Sequence, residues 1–234
     1  MKLIGIDRGR KVWLVAESDE RFQDLTLGIS EDLTDYLESL DGENCRVVID
    51  VPIGLPDSAP RIVDQVARKL VGGKRASSIF PVPVRTSLDG GTYEEASALN
   101  HQASGKKLSA QAYGILDGIR DLDAFMTPDR QEWLREGHPE VTFAVLSGGA
   151  GMEDRKKTPA GVAARSAVLA QHLTVPDIVA ARLELGRKYV GPDDVLDALA
   201  MLVSAGRLIR GIATILPDGQ IERDSRGLKM EMVA

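Results

Sequence analysis

Two short apolar runs, "KLIGID" at residues 2–7 and "CRVVID" at residues 45–50, each close on an aspartate. Their content marks both as buried strands. Between them stands "KVWLVAES", the hairpin partner of the first strand across the polar turn "RGR". A weaker strand in "RFQDLTL" and one helix in "SEDLTDYLESL" follow. In that helix Ser30 is the expected N-cap, and Leu33, Tyr36, Leu37 and Leu40 recur at helical spacing. Three antiparallel strands, a crossover helix and a fourth strand leave few topologies open. A right-handed crossover lays the fourth strand parallel to the first and beside it. Both carboxyl ends then share one sheet edge, which makes neighbours of Asp7 and Asp50.

Later segments read as mostly helical. "VPIGLPDSAP" is a proline-rich loop, and "PRIVDQVARKLVG" a helix with Pro60 near its first turn and Gly72 as its stop. "FPVPVRTSLDGG" is expected to be an extended, non-helical loop. "TYEEASALNHQASG" and the longer "SAQAYGILDGIRDLDAFM" are helices, and "WLREGHPE" holds a fifth strand that turns into a helix at Pro139. Helices follow in "TPAGVAARSAVLAQHL", "VPDIVAARLELG" and "PDDVLDALAMLVSAGRLIRG", and a β-hairpin about "PDGQ" closes the chain. The 234 residues suit one domain, with residues 52–106 as an insertion or lid after strand four.

The last long helix carries Asp194 and Asp197, three apart and so on one face, about 5–6 Å between Cβ atoms. Leu196, Leu199, Leu202 and Val203 give it an apolar surface to lay on the sheet. Its acids would then overlook the edge that holds Asp7 and Asp50. Each acid alone has a plainer use: Asp7 and Asp50 suit turns, and Asp193 and Asp194 suit the first turn of a helix. Their joint placement points further. Four crowded carboxylates repel one another, and divalent cations offset that repulsion. Oxygen-only donors select Mg²⁺ or Mn²⁺, and two such ions about 3.5–4 Å apart suit phosphodiester displacement.

"GID-G" on a first strand and "DxxDALA" on a late helix resemble the metal-binding motifs of RNase H-like nucleases, especially RuvC-type resolvases. More specifically, "VIDVPIGLP", "FPVPVR", "SAQAYGILDGIRDLD", "EGHPEVTF", "KKTPAGVAAR" and "DDVLDALAML" resemble the domain-of-unknown-function 429 family. The likeness covers nearly the whole chain. It implies an α/β, RNase H-like fold: a mixed five-stranded sheet flanked by helices, with the insertion after strand four and the terminal hairpin. It also implies a catalytic metal centre at Asp7, Asp50, Asp194 and Asp197. In "EGHPE", Pro139 and Glu140 suit a helix start; alternatively Glu140 is a further ligand or base and His138 a proton shuttle.

Charge bears on the partner. The chain carries a net charge of −6, so no overall basic field draws nucleic acid to it. Six basic residues nevertheless fall between Arg61 and Arg85 against the single acid Asp64, and Arg155, Lys156 and Lys157 cluster later. Arg8, Lys74, Arg75, Arg85, Lys156 and Lys157 are the candidates for holding phosphates. Aromatic residues are only 4% of the chain, which argues against a base-stacking surface. Cys45 is the only cysteine, which removes disulfide and thiolate-zinc chemistry and suits a buried thiol. The longest apolar runs fall short of a membrane span and the first residues do not form a signal peptide, so a cytoplasmic, membrane-free protein is expected.

These readings converge on a metal-dependent nuclease. A non-catalytic RNase H-like module that binds nucleic acid or protein is the main rival. An actin-like ATPase is the other, and it would need a second domain around its nucleotide. Pairing of the tail hairpin between subunits would give a homo-oligomer.

Overall fold

A computed structural model describes all 234 residues. Strands β1 (Lys2–Arg8), β2 (Trp13–Asp19) and β3 (Thr26–Ser30) form an antiparallel meander, and helix α1 (Leu33–Glu38) crosses to β4 (Cys45–Ile49). Helices α2 (Ile62–Val71), α3 (Tyr93–Ser104), α4 (Ala110–Gly114) and α5 (Leu116–Phe125) precede β5 (Leu134–Glu136). Then come α6 (Pro139–Leu146), α7 (Pro159–Leu169), α8 (Ile178–Leu185) and α9 (Pro192–Ile209). The short strands β6 (Ile215–Leu216) and β7 (Met232–Val233) end the chain. The main sheet runs β3-β2-β1-β4-β5, with β4 parallel to β1 and β5 parallel to β4. This mixed, helix-flanked sheet agrees with the expected α/β, RNase H-like arrangement. No helix is long and apolar enough to cross a membrane.

Both faces of β1 are covered. Leu3 joins the cluster built on α9, whereas Ile4 and Ile6 join the opposite cluster with Leu33 and Leu37 of α1 and Ile119 and Leu122 of α5. Side chains alternate along a strand, so Leu3, Gly5 and Asp7 all face α9. Val48 belongs to the α9 cluster as well, which puts Asp50, two residues on, on that same side.

Helix α9 is apolar almost all round because it lies between the sheet and helices α6 to α8. Gly5 is what lets it approach. A Cβ there would collide with the Ala198 carbonyl oxygen and the Leu202 amide, backbone atoms that cannot step aside. Gly5→Ala is therefore expected to cost about 1–3 kcal/mol. Urea unfolding measures it, and a midpoint unchanged from the native chain would refute the account.

Several local expectations need correction. Asp32, not Ser30, caps α1, its Oδ1 accepting from the Asp35 amide at 3.0 Å. Arg85–Asp89 is a 3₁₀ turn rather than extended chain. The long helix at 110–125 breaks at Ile115 into α4 and α5. The C-terminal two-stranded unit is present, but Ile215–Leu216 pairs with Met232–Val233, so residues 217–231 connect the arms in place of a tight "PDGQ" turn. This unit is not an exposed edge. Leu216, Met230, Met232 and Ala234 are buried against α2 and α6, and Val233 bridges Gly137 beyond β5. Cys45 is buried and free, as expected.

Candidate metal and phosphate site

The carboxyl ends of β1, β4 and β5 open into a cavity of about 600 Å³. Asp7, Asp50, Asp194 and Asp197 all line it, together with Arg8, His138, Glu140, Lys156 and Lys157. Asp50 reaches Asp7 because its amide still donates to the Ile6 carbonyl at 3.0 Å, which carries the strand pairing to the tip. Asp194 is partly committed, since one of its carboxylate oxygens accepts from the Gly191 amide at 2.8 Å. Asp197, one turn deeper, is buried.

Lysine holds this cluster together. Lys156 Nζ lies 2.7 Å from Asp197 Oδ2 and 3.4 Å from Asp193 Oδ2. Asp193 is buried and forms part of the same charge cluster. Its spacing of four from Asp197 also puts it on the shared helix face, a signal as good as the three-residue spacing of Asp194.

Burial, then the charges of Asp197 and Asp50, push the Asp7 carboxyl well above its ordinary range. Burial likewise pushes Asp197 up to about 7 against the pull of Lys156. Burial raises Asp194 too. For Lys156, burial acts to lower the ammonium's pKa, but Asp197, Asp7 and Asp193 outweigh it and the net direction is upward.

Unfolded, these aspartates titrate near 4, so from about pH 4 to pH 7 the folded chain binds more protons than the unfolded one. Stability contributed by Asp7 and Asp197 therefore falls as pH rises through that interval. Thermal melts in a chelator should show it, and added Mn²⁺ should flatten the slope. A melting temperature that climbs from pH 5 to pH 7 in the chelator would contradict this.

Does the site suit a divalent cation? Every candidate donor is a carboxylate, the right chemistry for a hard ion. Asp197 Oδ1 and Glu140 Oε2 are buried without any hydrogen-bond partner, so each has acceptor capacity to spare. As the side chains stand, however, no three His, Cys, Asp or Glu residues are placed to hold one ion. The donor set fits; Lys156 currently answers its charge.

Glu140 and His138 take defined positions. His138 caps α6, its Nδ1 accepting from the Glu140 amide at 3.1 Å, which leaves Nε2 to carry the ring proton. Glu140 Oε1 accepts from Arg165 Nη2 at 2.6 Å, and both residues are buried. Arg8 has a buried Nη1 without a partner, and its guanidinium lies 5.5 Å from the Trp13 ring centre.

A second cavity of about 900 Å³ adjoins the first. Ser77, Ser78, Glu140, Lys156 and Lys157 line both. Lys74, Arg75 and Arg155 add positive charge to the second one. Arg75 also ties the two loops there, donating to the Met152 carbonyl at 2.7 Å and the Glu153 carbonyl at 3.0 Å. Arg85 is not with them. It is held by Asp123, at 2.7 Å, and by Asp224. Arg61, counted by sequence into the basic patch, is instead fully buried, paired with Asp64 at 2.6 Å and Glu136 at 2.7 Å. Burial pushes Glu136 up to about 7 despite that pairing.

No curated protein and no solved structure gives a match. The family model described as "Protein of unknown function (DUF429)" matches residues 5–222, a span that takes in every carboxylate of the cavity. The chain belongs to the DUF429 family.

Proposed function

We propose that this protein hydrolyses phosphodiester bonds in nucleic acid with the help of divalent metal ions, Mg²⁺ or Mn²⁺. One observation carries the reading. Carboxylates from three distant stretches, Asp7, Asp50 and the pair Asp194 and Asp197, meet in one cavity that adjoins a trough where five lysines and arginines outnumber three acids.

Asp7, Asp50, Asp194 and Asp197 would hold the ions, with Glu140 at hand for one more bond. Bound ions supply Lewis acidity toward phosphoryl oxygens and allow water to attack at neutral pH. The chain's own groups do the rest. Lys74, Arg75, Lys156 and Lys157 bind the phosphate backbone and set its register without reading bases. Arg8, which lines the cavity, orients a phosphate at its wall. His138 Nε2, which carries the ring proton, can donate a hydrogen bond to a phosphate oxygen there, because its Nδ1 is already engaged. The test is a cleavage assay with single strands, duplexes, hybrids and branched DNA. Cleavage of at least one substrate should require Mg²⁺ or Mn²⁺ and vanish in chelator. Failure on every substrate with both ions would overturn the reading.

A second reading has one observation in its favour: the Lys156 ammonium already neutralises Asp197 and Asp193. In that case the protein binds nucleic acid or a protein partner without turnover. Binding would then ignore metal, and Asp7→Asn would leave it intact.

A further inference from the structure

We propose that Lys156 is a resident cation of the carboxylate cluster, and that a divalent ion enters as the lysine swings into the adjoining basic trough. The inference rests on the reading of the cluster as a metal site and adds how that site is loaded. Lys156 has a foot in each place: its ammonium touches Asp197 and Asp193, and the residue lines both cavities. Asp197 Oδ1, buried and unpartnered, shows that the lysine leaves part of the acid's capacity unused. A monovalent ammonium on one side of several carboxylates is a poor match for their combined charge.

The backbone around Lys156 is fastened. Arg75 holds the carbonyls of residues 152 and 153, Arg165 Nη1 donates to the Asp154 carbonyl at 3.1 Å, and Thr158 caps α7. The exchange is thus a rotation of a long, flexible side chain, with the loop staying in place. Lys157 cannot stand in, as its ammonium is mostly exposed and 3.8 Å from Asp193. Phosphates in the trough would draw Lys156 away from the acids. Polyanion and divalent ion then favour each other's binding, and by linkage the effect is reciprocal.

Calorimetric titration of Mn²⁺ into the native protein, Lys156→Gln and Lys157→Gln tests this. Removing the competitor should tighten Mn²⁺ binding by about tenfold or more. Lys157→Gln, an equal change of net charge at a mostly exposed ammonium on the margin of the cluster, should shift it by only about twofold. Acetylation of the native chain by an amine reagent, read by mass spectrometry, keeps the test open should Lys156→Gln fail to fold. Lys156 should label several-fold faster with Mn²⁺ present. Equal Mn²⁺ affinities in the native protein and Lys156→Gln, or labelling of Lys156 that Mn²⁺ leaves unchanged or slows, would overturn the proposal and leave the metal site standing. Absence of Mn²⁺ binding in all three proteins would remove both.

Discussion

Changing Asp7 to asparagine is expected to abolish metal-dependent cleavage while making the metal-free protein more stable. The two effects share one cause. Asp7 is buried at the end of β1 beside Asp197 and Asp50, which drive its carboxyl well above the ordinary range. Keeping it ionised at neutral pH opposes folding, and asparagine removes that charge at nearly constant volume. A gain of about 1–2 kcal/mol is the usual size when a residue retained for function is relieved. The gain should be present at pH 8 and fade toward pH 4, where the unfolded carboxyl is itself protonated. Cleavage should fall by about 10³-fold or more, beyond the 10–100-fold typical of groups one step removed from a metal. Urea unfolding at both pH values and a Mn²⁺-dependent cleavage assay read the two arms. A stable Asp7→Asn protein that still cuts would sink the nuclease proposal.

Arg61→Met should be the most damaging single change to the fold. Arg61 is fully buried and joins three pieces of chain: it pairs with Asp64 and Glu136 and donates to the carbonyls of Ile53 and Gly54, each at 3.2 Å. Removing it strands two buried carboxylates, at a cost of about 3–5 kcal/mol. Glu136, already lifted to about 7 by burial, loses the charge that restrains it, so the loss should deepen as pH rises from 5 to 8. Adding Asp64→Asn and Glu136→Gln to Arg61→Met should recover much of the stability, because no isolated charge remains. Chemical denaturation of the single and triple variants decides it; equal losses in both would show that packing, not charge, is responsible.

The contrast between Asp7 and Arg61 also shows what the sequence could and could not reveal. Asp7 and Asp50 were legible because each closes a run of strand residues, and the crossover rule then puts the two strand ends together. The α9 acids were legible because helical spacing is local. Asp193 was passed over in favour of Asp194, although a separation of four from Asp197 is as good as three. The structure gives Asp194 the plainer task, accepting a bond from Gly191, and buries Asp193 against Lys156. Arg61 was misplaced because a run of basic residues shows proximity along the chain and nothing about burial. Its partner Glu136 lies 75 residues away. The same blindness to distant pairing put the turn of the terminal strands at "PDGQ", when β6 in fact pairs with the last residues of the chain.

Gly5 has one further consequence. Since β1 meets α9 main chain to main chain there, the gap between Asp7 and Asp197 works as a ruler whose marks are peptide units. Leucines and valines elsewhere in the two apolar layers can be exchanged in a mutant library without resetting that ruler. Residue 5 is the dial that would change it, because any side chain there must push the main chain of Ala198 and Leu202 away.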